Sequence, residues 1–285
     1  MPQRLLCSLF LALIWSAPAQ AGCVDLPEPC KIAGGSYHIV MPETLPADGS
    51  QPPAVVFLHG HGGSGAGMLS IRAMTGTFRG RGYAVIAPDG LPRKVGKGNS
   101  WAVVPGRAAP RDDAAFVVAV ADDAARQFGL DRGQMLLAGF SLGGSMTSYV
   151  ACEYPAAFAA YAPVAGSFWR PLPERCAGPV RLFHTHGTAD GTVPLAGREI
   201  RPGIAQGDVF DSLRIFARTD SCLTEPETLP AEGRFARSHW RSCKPDGAAS
   251  VDLALHDGGH RIPAGWAEMI LQWLAPAKGP APVAR

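Results

Sequence analysis

The sequence predicts an α/β fold in which helices cover both faces of a mostly parallel sheet. Apolar strands alternate with helical stretches along the chain, which is the order that such a sheet requires. The apolar runs are continuous, as expected of strands buried on both faces. With 285 residues, 47% of them hydrophobic, the chain can fill one large core. We therefore expect a single domain over residues 22–275.

The predicted strands are short apolar runs, most of them bounded by glycine, proline or polar residues. They span 36–41 (an edge strand), 54–58, 83–87, 135–138, 161–165, 180–183 and 251–255. The predicted helices lie between them, from after Gly63 to about Gly80, from Asp112 or Asp113 to Phe128, at 143–153 and at 264–274. Either aspartate can cap the second helix, and Gly129 ends it. The segment 192–248 is less regular.

Residues 1–21 have the features of a signal peptide. Arg4 precedes a short apolar run, and Ala19-Gln20-Ala21 fits the small-residue pattern before a cleavage site. We expect export to the periplasm or the medium, without membrane attachment unless Cys23 is lipidated. That lipoprotein alternative is the weaker one, because a glutamine stands where an aliphatic residue is expected. The tail 276–285, rich in proline and alanine, is expected to be disordered.

Six cysteines remain once Cys7 leaves with the signal peptide. An even number in an exported protein indicates disulfides, although six cysteines allow 15 connectivities. Pairing of nearest neighbours would give Cys23–Cys30, Cys152–Cys176 and Cys222–Cys243. No pair has the spacing typical of zinc or redox sites, so a structural role is expected.

The charge pattern argues against a nucleic-acid-binding protein. The net charge is only +2, with 18% charged residues, and no concentrated basic face is evident. Residues 91–111 contain several cations interrupted by glycine and proline, a pattern that favours a solvated loop over an anion site. Those cations are Arg93, Lys94, Lys97, Arg107 and Arg111. A loop of this length in one domain is often functional.

The strongest chemical signal is Gly139-Phe140-Ser141-Leu142-Gly143. It follows an apolar strand and opens a helical stretch, which is the context in which a serine is held on a tight turn as a nucleophile. The glycines on either side leave room for that turn. Ser141 is therefore the candidate nucleophile, and the alternative of a mere tight turn is disfavoured by this context.

A serine nucleophile needs a base, and the base needs a group that orients it. Asp190 follows the strand 180–183 and His260 follows the strand 251–255, so both stand at carboxyl ends of strands, where open α/β sheets place their sites. A turn-forming role is the alternative for Asp190. His256 is the rival base, but it lies nearer the strand interior.

An oxyanion hole requires two backbone N–H groups. Leu142, directly after the nucleophile, and His61, in the loop after the strand 54–58, are the candidates. The histidine pairs at 59 and 61 and at 184 and 186 raise the possibility of a metal site, but spacing fixes no further ligand. We expect neither a metal nor a cofactor.

Large aromatic side chains offer candidates for substrate binding. Trp101 lies in the middle of the long loop without a local pattern to bury it, and we assign it and Trp240 as substrate-binding residues. Trp169 is a weaker candidate. Ordinary burial in the core is the alternative for each of the three.

Taken together, several stretches of the chain resemble secreted polyhydroxybutyrate depolymerase-like esterases, a group similar to feruloyl and acetylxylan esterases. The resemblance spans roughly residues 32–274. Its motifs are Gly139–Met146, Pro110–Val117, Ala162–Gly166, His186–Asp190 and Gly258–His260. It implies an α/β-hydrolase fold, cofactor-free hydrolysis of carboxylic esters, and a triad of Ser141, Asp190 and His260.

The resemblance predicts the substrate class less specifically than it predicts the fold. The ester could be polymeric or small: a hydroxyalkanoate, or a feruloyl or acetyl ester on plant polysaccharide. Only a short tail follows residue 274, without an added polymer-binding module, which favours soluble esters. A serine peptidase on the same fold and a non-catalytic binding protein stay open as alternatives. We expect a monomer or a small homo-oligomer.

Overall fold

The computed structural model describes residues 23–222, 225–240 and 249–275. The predicted signal peptide and the predicted disordered tail lie outside these ranges. Within them, no helix is both long enough and apolar enough to cross a bilayer.

A ten-stranded sheet forms the centre of the molecule. Its strands, in chain order, are β1 (Cys30–Ile32), β2 (Gly35–Val40), β3 (Ala54–Leu58), β4 (Ala84–Pro88), β7 (Met135–Phe140), β8 (Ala160–Val164), β9 (Arg181–Gly187), β12 (Glu227–Glu232), β13 (Phe235–Trp240) and β14 (Ser250–His256). Two small hairpins stand apart from it, β5 (Leu91–Pro92) with β6 (Asn99–Ser100), and β10 (Arg198–Arg201) with β11 (Ile204–Gln206).

The spatial order of the sheet is β1-β2-β4-β3-β7-β8-β9-β14-β13-β12. The strands from β4 to β14 in this order pair in parallel. Antiparallel strands flank them on both sides. Because the central strands run in one direction, their carboxyl ends meet at a single edge. The mostly parallel sheet that the sequence predicts is confirmed.

Helices cover both faces of this sheet. They are α1 (Gly65–Leu69), α2 (Arg72–Gly80), α3 (Asp113–Phe128), α4 (Leu142–Glu153), α5 (Val209–Thr219) and α6 (Trp266–Leu274), with a short 3₁₀ turn at Arg132–Gln134. Side chains of β3 alternate between the two layers: Val56 and Leu58 pack in the layer that includes residues of α3, α4 and α5. Val55 and Phe57 pack in the layer that includes residues of α1, α2 and α6.

Most predicted elements are present with small shifts in their ends. Asp112 is the residue that caps α3, through a hydrogen bond from the Ala115 N–H of 2.9 Å, and Gly129 ends the helix in the left-handed conformation. The strand predicted at 36–41 is present as β2, but it does not lie at the edge of the sheet, because β1 pairs with its outer side. The segment 192–248 contains more regular structure than predicted, including α5 and the outer strands β12 and β13.

Two of the predicted disulfides are present, Cys23–Cys30 and Cys152–Cys176. The third pair requires Cys243, which lies outside the described residues, so Cys222–Cys243 stays a prediction.

Candidate active site

Ser141 lies on the turn between β7 and α4, at the carboxyl edge of the sheet. Its backbone has φ 59° and ψ −120°, a conformation that non-glycine residues rarely adopt and that is costly to hold. Neighbouring glycines make the turn possible: a Cβ on Gly143 would lie 2.3 Å from the Leu58 carbonyl oxygen, and one on Gly139 would lie 2.4 Å from the Gly143 carbonyl oxygen. The sequence motif therefore forms the tight turn that its spacing predicts.

His260 connects the serine to Asp190. Its Nε2 lies 2.8 Å from the Ser141 hydroxyl oxygen, and its Nδ1 lies 2.7 Å from one carboxylate oxygen of Asp190. The other carboxylate oxygen accepts hydrogen bonds from the N–H groups of Thr192 and Val193, each 2.8 Å long. The carboxylate is thus fixed from both sides, and the three side chains form one hydrogen-bonded chain.

The loops that carry Asp190 and His260 are bound to each other through their backbones. Thr188 donates to the His256 carbonyl oxygen at 2.8 Å, and Ala189 donates to the Gly258 carbonyl oxygen at 3.1 Å. The rival base, His256, is buried within this turn, where its Nδ1 accepts from the Gly258 N–H at 3.0 Å. His260, not His256, therefore has the geometry of a base for Ser141.

A pair of buried histidines supports Asp190 from below. His186 Nε2 donates to the Val193 carbonyl oxygen at 2.8 Å and lies 3.5 Å from Asp190. That bond leaves His186 Nδ1 as the acceptor for His184 Nε2, 2.9 Å away. Burial lowers the pKa of His184 and of His186, so both rings are neutral near pH 7. Among the described residues no group of three or more possible ligands is arranged to hold a metal.

The loop after β3 lies directly against the nucleophile, since a Cβ on Gly60 would be 3.3 Å from the Ser141 Cβ. His59 holds this loop: its ring donates from Nδ1 to the Gly60 carbonyl oxygen at 2.7 Å and accepts from the Gly90 N–H at 3.0 Å. The side chain of His61 contacts Ser100. Within the described chain, neither the His61 N–H nor the Leu142 N–H donates a hydrogen bond, so both can serve an incoming oxyanion.

Trp101 fixes the same loop from the other side. Its Nε1 donates to the His59 carbonyl oxygen at 2.8 Å, and its ring packs on the His59 ring with centroids 4.9 Å apart. The residue is only 4% exposed, yet it forms part of the wall of a cavity of about 460 Å³ that also contacts His61 and Leu142. The substrate-binding role of Trp101 stays a prediction, and its hydrogen bond also supports the candidate oxyanion loop.

Trp240 does not lie at the site. It is 1% exposed and pairs with Val251 at the start of β14, whereas His260 follows the end of that strand. The substrate-binding prediction for this residue is therefore wrong in position. Trp169, the weaker candidate, does lie in the wall of the cavity.

Other residues at the site had no assigned role in the sequence. Phe140 packs its ring on His260 with centroids 4.8 Å apart, and its place inside the serine motif was the available signal. Buried Asp113 accepts from the Ala102 N–H at 2.7 Å and pairs with Arg111 at 2.6 Å, which ties the long loop 91–111 to α3. That loop is thus attached to the fold, and it forms much of the cavity wall.

Several known proteins are similar to this chain in sequence. The sequence profile of the prolyl oligopeptidase family (Peptidase_S9) matches residues 69–169, a segment that contains Ser141 but not Asp190 or His260. The putative esterase NocK of Nocardia uniformis is 26% identical over 250 residues, covering 81% of this chain and 71% of that protein. Feruloyl esterase C of Emericella nidulans is 28% identical over 239 residues, covering 81% and 77%.

Solved structures show the same fold. An acetyl xylan esterase from Aspergillus awamori superposes with a TM-score of 0.60 at 16% identity, covering 85% of this chain and 94% of that one. A carboxylesterase from Mesorhizobium loti superposes with a TM-score of 0.55 at 16% identity, covering 87% and 97%. At this identity the likeness concerns the fold alone.

Proposed function

We propose that this chain is a carboxylesterase of the α/β-hydrolase superfamily and that it hydrolyses esters through a covalent acyl-enzyme on Ser141. The fold and the similar esterases support this superfamily and the ester-hydrolase class. The observation that supports the assignment of roles is the hydrogen-bonded chain from Ser141 through His260 to Asp190, with contacts of 2.8 and 2.7 Å.

In the proposed reaction, His260 Nε2 takes the proton of the Ser141 hydroxyl as its oxygen attacks the ester carbonyl carbon. Asp190 accepts from His260 Nδ1, which keeps Nε2 free as the base and stabilises the ring once it is charged. His260 then donates its proton to the leaving alcohol oxygen. A water molecule repeats the sequence on the acyl-enzyme, which releases the acid and restores the serine.

Charge on the former carbonyl oxygen is stabilised by the N–H groups of His61 and Leu142. Both groups are without an acceptor within the described chain, and the first lies on the loop held by His59 and Trp101. Donors fixed in advance need no rearrangement when charge develops, which is why such groups contribute strongly to catalysis.

For the natural ester we propose a hydroxyalkanoate ester or short oligomer, by resemblance of the motifs around Ser141, Asp190 and His260. The second candidate is a feruloyl or acetyl ester of plant polysaccharide. It is favoured by the names of similar proteins, a feruloyl esterase at 28% identity and a bifunctional acetylxylan esterase/xylanase at 28% identity over 160 residues.

We further propose that the protein works outside the cytoplasm. Two disulfides suit an oxidising compartment. The sulfur of Cys23 is already bonded to Cys30, and this favours a cleaved signal peptide over a lipid anchor on Cys23.

The test is hydrolysis by the purified mature protein of a panel of 4-nitrophenyl butyrate, methyl ferulate, a 3-hydroxybutyrate dimer and a peptide anilide. Each substrate is measured beside Ser141→Ala. We expect ester turnover that falls by about 10⁶-fold in the variant, and the best ester decides between the two substrate classes.

Two other outcomes would contradict the proposal. Turnover of the anilide alone, dependent on Ser141, would indicate a peptidase, in line with the match to the prolyl oligopeptidase family over 69–169. Ligand binding without turnover, equal in both forms, would indicate a binding protein.

A further inference from the structure

We propose that the cavity beside the nucleophile recognises esters that carry a second, ionised carboxylate. This inference builds on the proposed ester hydrolysis at Ser141 and specifies the substrate that the site prefers. The cavity has a volume of about 460 Å³, which lies in the range of small-molecule sites.

The cavity adjoins the reaction centre. Its wall includes Leu142, whose backbone follows the nucleophile directly, and His61, on the loop that lies against Ser141. Its apolar surface comes from Trp101 and Trp169 together with aliphatic side chains. A substrate whose carbonyl reaches Ser141 can therefore place one of the two parts of its ester next to this wall.

Three cations complete the wall: Lys94, Arg107 and Arg201. They come from two distant parts of the chain, since the first two lie in the loop 91–111 and the third lies in β10. The sequence pattern favours a solvated loop for the cations of 91–111. That interpretation does not explain why two of them line the same cavity as Arg201. All three residues are exposed, so their charged groups can be reached by a ligand.

The described residues place no opposing charge in the wall of this cavity. Among the described residues, no carboxylate lines this wall. None of the three cations forms an ion pair with any described residue. By contrast, the nearby Arg111 is paired with Asp113 at 2.6 Å. Like charges gathered around one space without a partner favour the entry of an anion.

Arg107 differs from the other two cations because it also borders a second, smaller cavity whose wall includes Asp112 and Glu153. Burial and the neighbouring charge of Asp112 raise the pKa of Glu153. Arg201 and Lys94 have no carboxylate in the wall they line, so they provide the sharper test.

The ligand chemistry follows from these features. An apolar and aromatic surface next to unpaired cations suits a small organic acid, and the adjoining nucleophile requires that this acid also contain an ester. A hydroxy-acid oligomer has this composition, because each molecule ends in a free carboxylate beyond its last ester bond. Guanidinium and ammonium groups both bind carboxylates with charge-assisted hydrogen bonds.

The experiment compares two nearly isosteric esters, the 3-hydroxybutyrate dimer with its free carboxylate and the same dimer as its terminal carboxamide. Cleavage of the internal ester is followed by chromatography, and the quantity of interest is the ratio of the two kcat/KM values. We expect the wild type to prefer the carboxylate by about tenfold, since each exposed charge pair contributes only modestly.

Arg201→Gln and Lys94→Gln should each lower this ratio by about two- to fivefold, and about 0.5 M NaCl should lower it in the wild type by screening. Lys97→Gln is the matched control: it removes one exposed charge from the same loop, but Lys97 is not part of the cavity wall. We expect the control to keep the wild-type ratio.

A wild-type ratio near one, or a ratio that responds equally to Lys97→Gln and Arg201→Gln, would overturn the carboxylate proposal while leaving ester hydrolysis intact. Loss of all Ser141-dependent turnover would instead overturn the proposed function. Calorimetric titration of Ser141→Ala with the two dimers separates these cases, because it measures binding without turnover. We expect the carboxylate dimer to bind more tightly than the carboxamide dimer. Equal binding would contradict the carboxylate proposal.

Discussion

The surroundings of the candidate catalytic carboxylate and the cavity beside the candidate nucleophile are built in contrasting ways. Asp190 and the histidines that support it, His184 and His186, are buried and hydrogen-bonded to one another or to the loop that carries Asp190 and Val193. The cations of the cavity wall are exposed and lie on a loop and a small hairpin outside the main sheet. If the proposed function holds, the buried part of the fold fixes the chemistry, whereas the exposed residues around the cavity set the choice of substrate.

The largest loss of activity should come from Asp190→Asn, a change among the buried residues. The two N–H groups of Thr192 and Val193 would keep the amide oxygen on their side, which turns the donating NH₂ toward His260 Nδ1. The ring is then held in the wrong tautomer, and kcat should fall by about 10⁴-fold. Steady-state kinetics on 4-nitrophenyl butyrate measure it.

Asp252→Asn is the matched control for that change. Asp252 is also buried and contacts a histidine, with His239 Nδ1 at 3.0 Å, but it lies in the strand pair β13–β14. It should lower stability and leave kcat within a few-fold. A loss of less than tenfold in Asp190→Asn would contradict the orienting role of Asp190.

Gly143→Ala should have the next largest effect, because the added Cβ would lie 2.3 Å from the Leu58 carbonyl oxygen. We expect about 1–3 kcal/mol of destabilisation from overpacking and about a 100-fold loss of kcat/KM from displacement of the adjacent loop. Urea unfolding and kinetics measure the two effects separately.

The control for overpacking is Gly76→Ala, in the middle of α2, where a Cβ would meet nothing within 4 Å. This change should stabilise the helix by up to about 1 kcal/mol and leave activity unchanged. Full activity in Gly143→Ala would show that the close turn is dispensable.

A smaller effect is expected of Trp101→Phe, at the boundary between the two regions. The change removes the bond to the His59 carbonyl oxygen, 2.8 Å long, and should lower kcat/KM about five- to tenfold by loosening the candidate oxyanion loop. Trp273→Phe removes a comparable bond to Asp252, 3.0 Å long, away from the site. It should lower the melting temperature alone; an equal loss of activity in both would refute a local effect.

The smallest effect concerns pH. Burial lowers the pKa of His184, so below its ordinary pKa of about 6.5 the unfolded chain binds a proton that the folded chain does not. The free energy of unfolding should therefore fall as pH decreases from about 7.5 to 5.5. Urea midpoints at the two ends measure this slope. It should be shallower in His184→Gln, and an unchanged slope would assign the pH dependence to other groups.

The central strands and the three catalytic candidates could be predicted because their signals are local. Continuous apolar runs such as 54–58 are typical of strands buried on both faces, and residues that follow such strands meet at one edge of the sheet. The outer strand Glu227–Glu232 is mostly exposed, and its three apolar residues are flanked by polar ones, so it offers no such run. Helix α5 did have a signal, the cap at Asp208 before an apolar face.

Features that depend on packing between distant segments could not be predicted from the sequence. The cavity wall needs the loop 91–111 to face β10, and nothing local to Arg201 or Ile200 indicates that contact. Trp240 was assigned wrongly for a related reason. The sequence shows that it is a large aromatic residue, but only the pairing of β13 with β14 reveals that it lies opposite Val251, near the start of β14.

The backbone of Ser141, at φ 59°, has a consequence for how the protein can evolve. A glycine would adopt this conformation without the cost of roughly 1–3 kcal/mol that a side chain brings. Ser141→Gly should therefore unfold at higher urea than Ser141→Ala, although both are inactive. Selection for a longer-lived fold and selection for turnover act in opposite directions at this one position, so a lineage freed from the need for catalysis would be expected to lose the serine first.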